Sequence, residues 1–388
     1  MNFGAEQINL DILKKRAFNL RWASVPEGVI PLTAADPDFP CASPIREAIT
    51  KYVHDGYLSY GPPEGLREFR EALAENYHVS KKVLIDPGYI LPVDSAAFGI
   101  YLICKTFLQP GDEAIIFDPV DFLFRYSIET VNAVAIPFSI PPGTGKVEFN
   151  ALEELITPRT KMICLCNPLN PTGKVFTKEE LLQLGEIATK HDLIILSDEI
   201  WSDIIFNPFQ FTSISSLESE IINRTITVTG FSKSYGLAGL RIGAVLAPNK
   251  QHYARLFNTS LHQSTIHGSN VLGQIAATAA LRECGDWLKE FIIHLQKMRD
   301  LCVTELNSIK GFNCISPEGC YVAFANITET GLSSEDMQKL ILEKAKVSVV
   351  PGLKKWFGEG AEGYVRISFA SSEYILKEAF SRIKNTIY

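Results

Sequence analysis

The 388-residue chain has no long uninterrupted apolar stretch, which argues against a protein that spans a membrane. No apolar run reaches the roughly 18 residues that cross a bilayer. The segment from Met1 to Glu6 shows neither the charged nor the apolar region of a secretion signal. We therefore expect a cytoplasmic protein without a membrane partner.

Basic clusters and metal-binding patterns are also missing. The formal net charge is −7 and no block of lysine and arginine stands out, so nucleic acid is not expected as a partner. The eight cysteines are scattered. Cys164 and Cys166 form a C-x-C pair, but no second pair or histidine cluster completes a metal site. The cysteines are predicted to be reduced and buried, and no metal is expected.

What the sequence does contain is the alternating pattern of an α/β protein. Short apolar runs predict five buried strands, at residues 113–117, 133–136, 161–166, 193–197 and 226–229. A helical segment at 178–188 separates the third strand from the fourth. Strands that alternate with helices predict a mostly parallel central sheet covered on both faces, a three-layer αβα arrangement.

The pattern changes near residue 275. Residues 275–306 predict one long amphipathic helix, or a broken pair, that links two domains. The tail predicts strands near 321–324 and 364–368 and a closing helix at 373–387. We expect three parts: an N-terminal arm (1–45) that lies over the small domain or a partner subunit, a large α/β domain (46–275), and a small α+β domain with the linking helix (276–388).

Lys233 is the residue that points most directly to chemistry. A desolvated lysine amine can form a Schiff base with an aldehyde. Ser232 precedes it and Arg241 follows eight residues later, and both suit the phosphate of a phosphorylated aldehyde. This combination indicates pyridoxal phosphate. A lysine flanked by serine more often lies in a solvated loop, so the interpretation depends on further cofactor contacts.

Two such contacts follow predicted strands. Asn170 lies in the turn 167–173, whose prolines and glycine make it rigid, and its amide can donate to the phenolic oxygen of a pyridoxal ring. Asp198 ends the next strand, where a carboxylate can pair with the protonated pyridine nitrogen. A helix N-cap is the alternative role for Asp198. Ligands of α/β sheets bind at the carboxyl ends of strands, so Lys233 and these groups are expected to converge.

The motifs together resemble those of the class I/II aminotransferases in the fold type I pyridoxal-phosphate family. N-P-x-N-P-T-G, S-D-E, S-K-x-x-G-x-x-G-x-R-x-G and V-R-I-S-F occur in the family's order over nearly the whole chain. The resemblance implies the fold type I architecture, pyridoxal 5'-phosphate as cofactor and an obligate homodimer. It also implies a ping-pong transfer of an amino group between an L-amino acid and a 2-oxo acid.

Roles for individual residues follow from the same resemblance. Lys233 would form the internal aldimine and move the substrate proton, while Ser232 and Arg241 would bind the phosphate. Arg366, in V-R-I-S-F, would bind the substrate α-carboxylate. Two further groups are expected near the substrate or the cofactor: Ala35 on the substrate side, and Tyr60, which would reach the phosphate of the neighbouring subunit.

Three cofactor contacts depart from the family pattern. The expected phosphate loop, residues 91–97, has no glycine, so we expect Ser95 at a helix start to contact the phosphate, with Asp94 turned away. Asp121 stands where the stacking aromatic usually lies. Phe122 is expected to replace that aromatic if the loop is shifted by one residue; otherwise the stacking is lost or supplied elsewhere. Trp201 stands where tyrosine is common, and its indole N–H would donate to the phenolic oxygen.

Two other functions compete with amino transfer. The run Ala35–Phe39 is also similar to the A-D-x-D-F run of cystathionine β-lyase-like enzymes, which use the same lysine to expel a β-substituent. A non-catalytic regulator that uses this fold to bind an effector is the third candidate. Such regulators normally carry a DNA-binding region, and no such region is visible in the sequence.

Overall fold

The structure, a computed structural model, describes residues 3–142 and 147–387. Its strands are β1 (Ile30–Pro31), β2 (Ile90–Val93), β3 (Glu113–Asp118), β4 (Val134–Ser139), β5 (Thr160–Cys166), β6 (Ile194–Asp198), β7 (Thr225–Gly230), β8 (Gly243–Leu246), β9 (Asn313–Cys314), β10 (Val322–Asn326), β11 (Val347–Ser348), β12 (Val350–Pro351) and β13 (Tyr364–Ser368). Its α-helices are α1 (Leu10–Lys15), α2 (Ser43–Asp55), α3 (Arg67–Lys81), α4 (Ala96–Phe107), α5 (Leu123–Thr130), α6 (Phe149–Glu153), α7 (Lys178–Lys190), α8 (Ser219–Arg224), α9 (Lys250–Ser260), α10 (Val271–Glu283), α11 (Gly285–Asn307), α12 (Ser334–Leu340), α13 (Lys354–Phe357) and α14 (Glu373–Ile387).

A seven-stranded sheet with the order β2-β8-β7-β6-β5-β3-β4 forms the centre of the fold. The five strands β3 to β7 pair in parallel, whereas β8 is antiparallel to both β7 and β2. All five predicted strands and the mostly parallel sheet are therefore confirmed. The helix predicted at 178–188 is α7, which begins with a capping box between Thr177 and Glu180.

Two strands of the central sheet, β2 and β8, are not predicted from the sequence. Each has four residues, and β2 contains Pro92. Proline removes a backbone donor, so it weakens a strand prediction. Pro92 is compatible with β2 because this strand lies at the edge of the sheet, where a missing backbone donor is tolerated.

The C-terminal part carries a separate four-stranded antiparallel sheet, β12-β13-β10-β9. The predicted strands near 321–324 and 364–368 correspond to β10 and β13, and the predicted closing helix is α14. Of the two forms predicted for residues 275–306, the broken pair is found, since α10 and α11 meet at Cys284.

The N-terminal segment packs on this C-terminal part. Ile30 pairs with Val347 in a short parallel ladder between β1 and β11. Phe3 is buried, with its ring 5.2 Å from that of Phe291 on α11. Chain connectivity therefore brings the loop that follows β1, residues 32–39, against the end of the central sheet.

Buried side chains form two large clusters, one around helices α4, α5 and α7 and the other around α3, α10, α11 and α14. All eight cysteines are free in the structure. Seven of them are buried, as predicted, while Cys41 is half-buried. Among the described residues, no helix is long and apolar enough to cross a membrane. No cluster of three or more potential metal ligands occurs in the described ranges either.

Candidate active site

The predicted site residues converge at the carboxyl end of the parallel strands. Asn170 follows β5, Asp198 ends β6, and Lys233 lies three residues after β7. In the sheet register Cys166 is paired with Asp198, and Asp198 with Val228. The three strand ends are therefore neighbours, as expected for a ligand site in an α/β sheet.

The half-buried Lys233 side chain lies against the N-terminal loop. Its Nζ donates a hydrogen bond to the Ala35 carbonyl oxygen at 2.7 Å and lies 5.2 Å from the centre of the Trp201 ring. Burial lowers the pKa of Lys233, and the nearby Asp36 carboxylate acts in the opposite direction. The lowered pKa favours the neutral amine, the form that attacks an aldehyde.

Asp198 is a buried carboxylate without a strong cationic partner. Its Oδ1 accepts a hydrogen bond from the Ile200 backbone N–H at 3.0 Å. The pKa of Asp198 is raised to about 7, mainly by burial and also by the charges of Asp121 and Glu199, while the hydrogen bond from Ile200 acts in the opposite direction. A cation placed against this group would favour the ionised form. The protonated ring nitrogen of pyridoxal phosphate is such a cation.

Arg366 is buried with part of its donor capacity free. Its Nη1 donates to Asn170 Oδ1 and its Nη2 to the Thr33 carbonyl oxygen, both at 3.2 Å. The guanidinium lies 5.0 Å from the centre of the Phe357 ring, and burial lowers the pKa of Arg366. Its Nε has no hydrogen-bond partner within the described residues. A buried, partly unsatisfied guanidinium can bind a carboxylate through two donors.

The expected phosphate groups gather where β2, β8 and β7 meet. Gly243 on β8 pairs with both Val93 on β2 and Gly230 on β7. Ser95, Ser232 and Arg241 each lie two residues along the chain from one of these three paired residues. Ser95 is the N-cap of α4, and its side chain accepts from the Phe98 N–H at 3.1 Å.

Two features favour an anion near Gly243, where β2, β8 and β7 pair. Asp94 Oδ1 accepts from Ser269 Oγ at 3.0 Å, so the carboxylate turns aside as expected. A Cβ at Gly243 would lie 2.8 Å from the Ala96 backbone N, which shows how closely β8 approaches the start of α4. The N–H groups at the start of this 12-residue helix favour a phosphate.

The site therefore fits pyridoxal phosphate at three points: a desolvated lysine amine, a buried carboxylate that needs a cation, and a helix N-terminus capped by Ser95. Trp201 adds an aromatic wall, with its ring 4.7 Å from that of Tyr321.

Phe122 and Tyr60 lie in other surroundings. The Phe122 ring is 5.5 Å from that of Trp356, and it is 37% exposed. Its stacking on the cofactor stays a prediction. Tyr60 is 89% exposed and its ring lies 5.5 Å from that of His267. Such exposure suits a residue that serves a neighbouring subunit.

The sequence motifs do not predict the contacts that Thr33, Asp36 and Tyr321 make around Lys233 and Arg366. The Tyr321 hydroxyl donates to the Ala35 carbonyl oxygen at 3.2 Å, beside the Lys233 amine. Asp36 lies within the A-D-x-D-F run, so a signal for it was present. Thr33 accepts a hydrogen bond from Arg366 through its backbone carbonyl oxygen. Such a contact does not depend on the type of residue, so the sequence does not indicate it.

Comparisons with known proteins show the family of the chain. A family model described as aminotransferase class I and II matches residues 27–383. An aspartate aminotransferase of Pyrococcus abyssi is 33% identical over 369 residues, which cover 92% of this chain and 92% of that protein. The crystal structure of an aromatic aminotransferase from Pyrococcus horikoshii OT3 is similar, with a TM-score of 0.87, 30% identity and coverage of 93% of this chain and 96% of that one.

Cystalysin from Treponema denticola, a structure that contains a pyridoxal 5'-phosphate cofactor, has a TM-score of 0.91. It covers 99% of this chain and 98% of its own, but at 24% identity it shows the fold alone.

Fold and site define a fold type I enzyme that depends on pyridoxal 5'-phosphate. The chain belongs to the class I and II aminotransferase family.

Proposed function

We propose that the enzyme moves an amino group between an L-amino acid and a 2-oxo acid by a ping-pong mechanism, with Lys233 as the catalytic residue. One observation carries the proposal. The Lys233 amine and the Arg366 guanidinium donate to carbonyl oxygens only two residues apart, those of Ala35 and Thr33. A carboxylate bound by Arg366 therefore brings the neighbouring Cα close to the lysine.

Each residue then has a physical task. Arg366 binds the substrate carboxylate and orients the Cα–H bond, which lowers the entropy cost of reaction. Lys233, whose pKa is lowered by burial, accepts the proton from Cα and later returns it to another atom. Asp198 holds positive charge on the cofactor ring. The cofactor, when bound, supplies the electron sink that makes the Cα–H bond acidic.

The side chain of the amino donor is less defined. The relatives are named for aspartate and for aromatic amino acids, so both belong in a donor screen. Arg21 lies near the substrate loop, but its Nη2 is held by Asp38 Oδ2 at 2.9 Å and its Nη1 by the Asp36 carbonyl oxygen at 2.7 Å. The charge of Arg21 is therefore already paired with the Asp38 carboxylate, whereas a dicarboxylate needs an unpaired second cation.

A homodimer is part of the proposal. Tyr57, Leu58 and Tyr60 form an exposed apolar segment. Leu58 and Tyr60 line a cavity together with Ile266 and His267. Exposed apolar surface of this kind is typical of protein interfaces. In a dimer this segment would be covered, and Tyr60 would lie at the phosphate of the partner.

A half-reaction screen tests the function. The cofactor-loaded enzyme is mixed with single amino acids or with cystathionine in the absence of any oxo acid. Loss of the visible cofactor band in favour of the aminated cofactor, without release of ammonia, is expected. Release of pyruvate and ammonia from cystathionine, with the visible band restored, would instead establish the carbon–sulfur lyase. No change with any compound would favour the regulator.

A further inference from the structure

Asp121 takes the place of the expected stacking aromatic, and in the structure it is joined to Asn170 by two hydrogen bonds. The Asp121 backbone N–H donates to the Asn170 carbonyl oxygen at 3.1 Å. The Asn170 side-chain Nδ2 donates to Asp121 Oδ2 at 2.9 Å. The loop after β3 is therefore tied to the turn after β5 at the point where Asn170 enters the site.

This contact determines which way the Asn170 amide faces. An ionised carboxylate only accepts hydrogen bonds, and a guanidinium only donates them. Asp121 therefore requires the NH₂ end of the amide, and Arg366 requires its oxygen. If the amide were reversed, NH₂ would face the guanidinium and oxygen would face the carboxylate. The two neighbours select one orientation, and one hydrogen of Nδ2 stays available.

The same chain of contacts holds Arg366 before any substrate arrives. The guanidinium has one fixed contact to Asn170 and one to Thr33, while its Nε has no partner among the described residues. Asp121 also supplies a negative charge that favours the charged form of Arg366. A binding group ordered in advance loses less entropy when its ligand binds.

We propose that Asp121 is a positioning residue, which orients the Asn170 amide and through it holds Arg366 ready for the substrate carboxylate. This inference rests on the proposed function of Arg366. It assigns to Asp121 an electrostatic task in place of ring stacking.

Asp121→Ala removes the acceptor, and Asp121→Asn keeps an oxygen that can accept but no longer fixes the orientation. The probe is the 2-hydroxy analogue of the best amino donor, which carries the carboxylate but cannot react with the cofactor. We expect its Kd to rise about tenfold in Asp121→Ala, the effect of losing a hydrogen bond to a charged group. A smaller rise of about threefold is expected in Asp121→Asn.

Glu129→Gln on α5 serves as a matched control. It removes one carboxylate from the same region, where Glu129 pairs with Arg125 at 3.8 Å, and its Kd for the probe should equal that of the wild type. Cofactor affinity, measured by titrating pyridoxal phosphate into the apoprotein, should change less than threefold in Asp121→Ala. An equal loss of cofactor and probe affinity would indicate a merely structural role and overturn the inference.

An unchanged probe Kd in Asp121→Ala would also overturn it. Should that variant fail to fold, Asp121→Asn decides, since an unchanged Kd there contradicts the orienting role. Failure of the proposed function would look different, because the wild-type enzyme itself would then neither react with amino acids nor bind the hydroxy acid.

Discussion

At the scale of single residues, the burial of Asp198 destabilises the folded apoprotein near neutral pH but provides a carboxylate for the cofactor. An unfolded aspartate ionises near its ordinary pKa of 3.8, whereas burial raises the pKa of Asp198 to about 7. Between these values the folded apoprotein holds a proton that the unfolded chain has lost. The stability contributed by Asp198 is therefore full below about pH 4 and is lost as the pH rises to 7.

Asp198→Asn should remove this loss. Above pH 7 we expect the variant apoprotein to be more stable than the wild-type apoprotein, by on the order of 4 kcal/mol, because no buried charge remains. Denaturant titrations at pH 5 and pH 8 measure the difference, which should be larger at pH 8.

The same change should weaken pyridoxal phosphate binding, since a neutral amide does not hold a proton on the ring nitrogen. Calorimetric titration of the two apoproteins with the cofactor measures this loss. A variant that is less stable than wild type at pH 8, or that binds the cofactor as tightly, would contradict the role of Asp198.

Among the secondary-structure elements, the contact between β8 and the start of α4 controls the phosphate end of the site. A Cβ at Gly243 would meet the Ala96 backbone N at 2.8 Å and the Ser95 backbone C at 2.9 Å. These are backbone atoms, so the helix start would have to shift. Gly243→Ala should therefore lower the affinity for pyridoxal phosphate at least tenfold and destabilise the protein by about 1–3 kcal/mol.

Gly285→Ala is the matched control, because nothing lies within 4 Å of a Cβ placed there. Its cofactor affinity and thermal midpoint should remain close to the wild-type values. Equal behaviour of the two variants would show that the approach of β8 to α4 does not form the phosphate site.

The strands and helices could be predicted from sequence where pattern alone determines them. The runs that form β3, β5, β6 and β7 are apolar because both sheet faces are covered there, so their residue types reflect their burial. The strand β2 is not predicted from the sequence because it contains Pro92, a residue that strands accept only at a sheet edge or bulge. Lys233, Asp198 and Arg366 could be placed by motif, whereas the Asp121–Asn170 contact joins residues 49 apart and depends on the detailed course of two loops.

The whole molecule brings the site together from distant parts of the chain. Lys233 comes from the central sheet, Arg366 from the C-terminal sheet, and the loop with Thr33 and Ala35 joins them. The predicted boundary between the large and small domains at residue 275 stays a proposal. The buried cluster around α10 and α11 runs across it, so we expect the two parts to unfold together.

Leu58→Asp tests the proposed dimer. Leu58 is 66% exposed in the single chain, and a charge there should separate the subunits and abolish most activity, because Tyr60 would no longer reach its partner. Sedimentation at micromolar concentration measures the assembly. Leu84→Asp, at a leucine that is 81% exposed elsewhere, should remain dimeric and active. An active wild-type monomer would contradict the shared site.

The central claim is that Lys233 carries the cofactor, and one measurement tests it most directly. The cofactor-loaded protein is reduced with borohydride, digested, and analysed by mass spectrometry for the lysine that bears the phosphopyridoxyl group. We expect the added mass on the peptide that contains Lys233 and on no other peptide. Modification of a different lysine, or release of all the cofactor without any modified peptide, would contradict it.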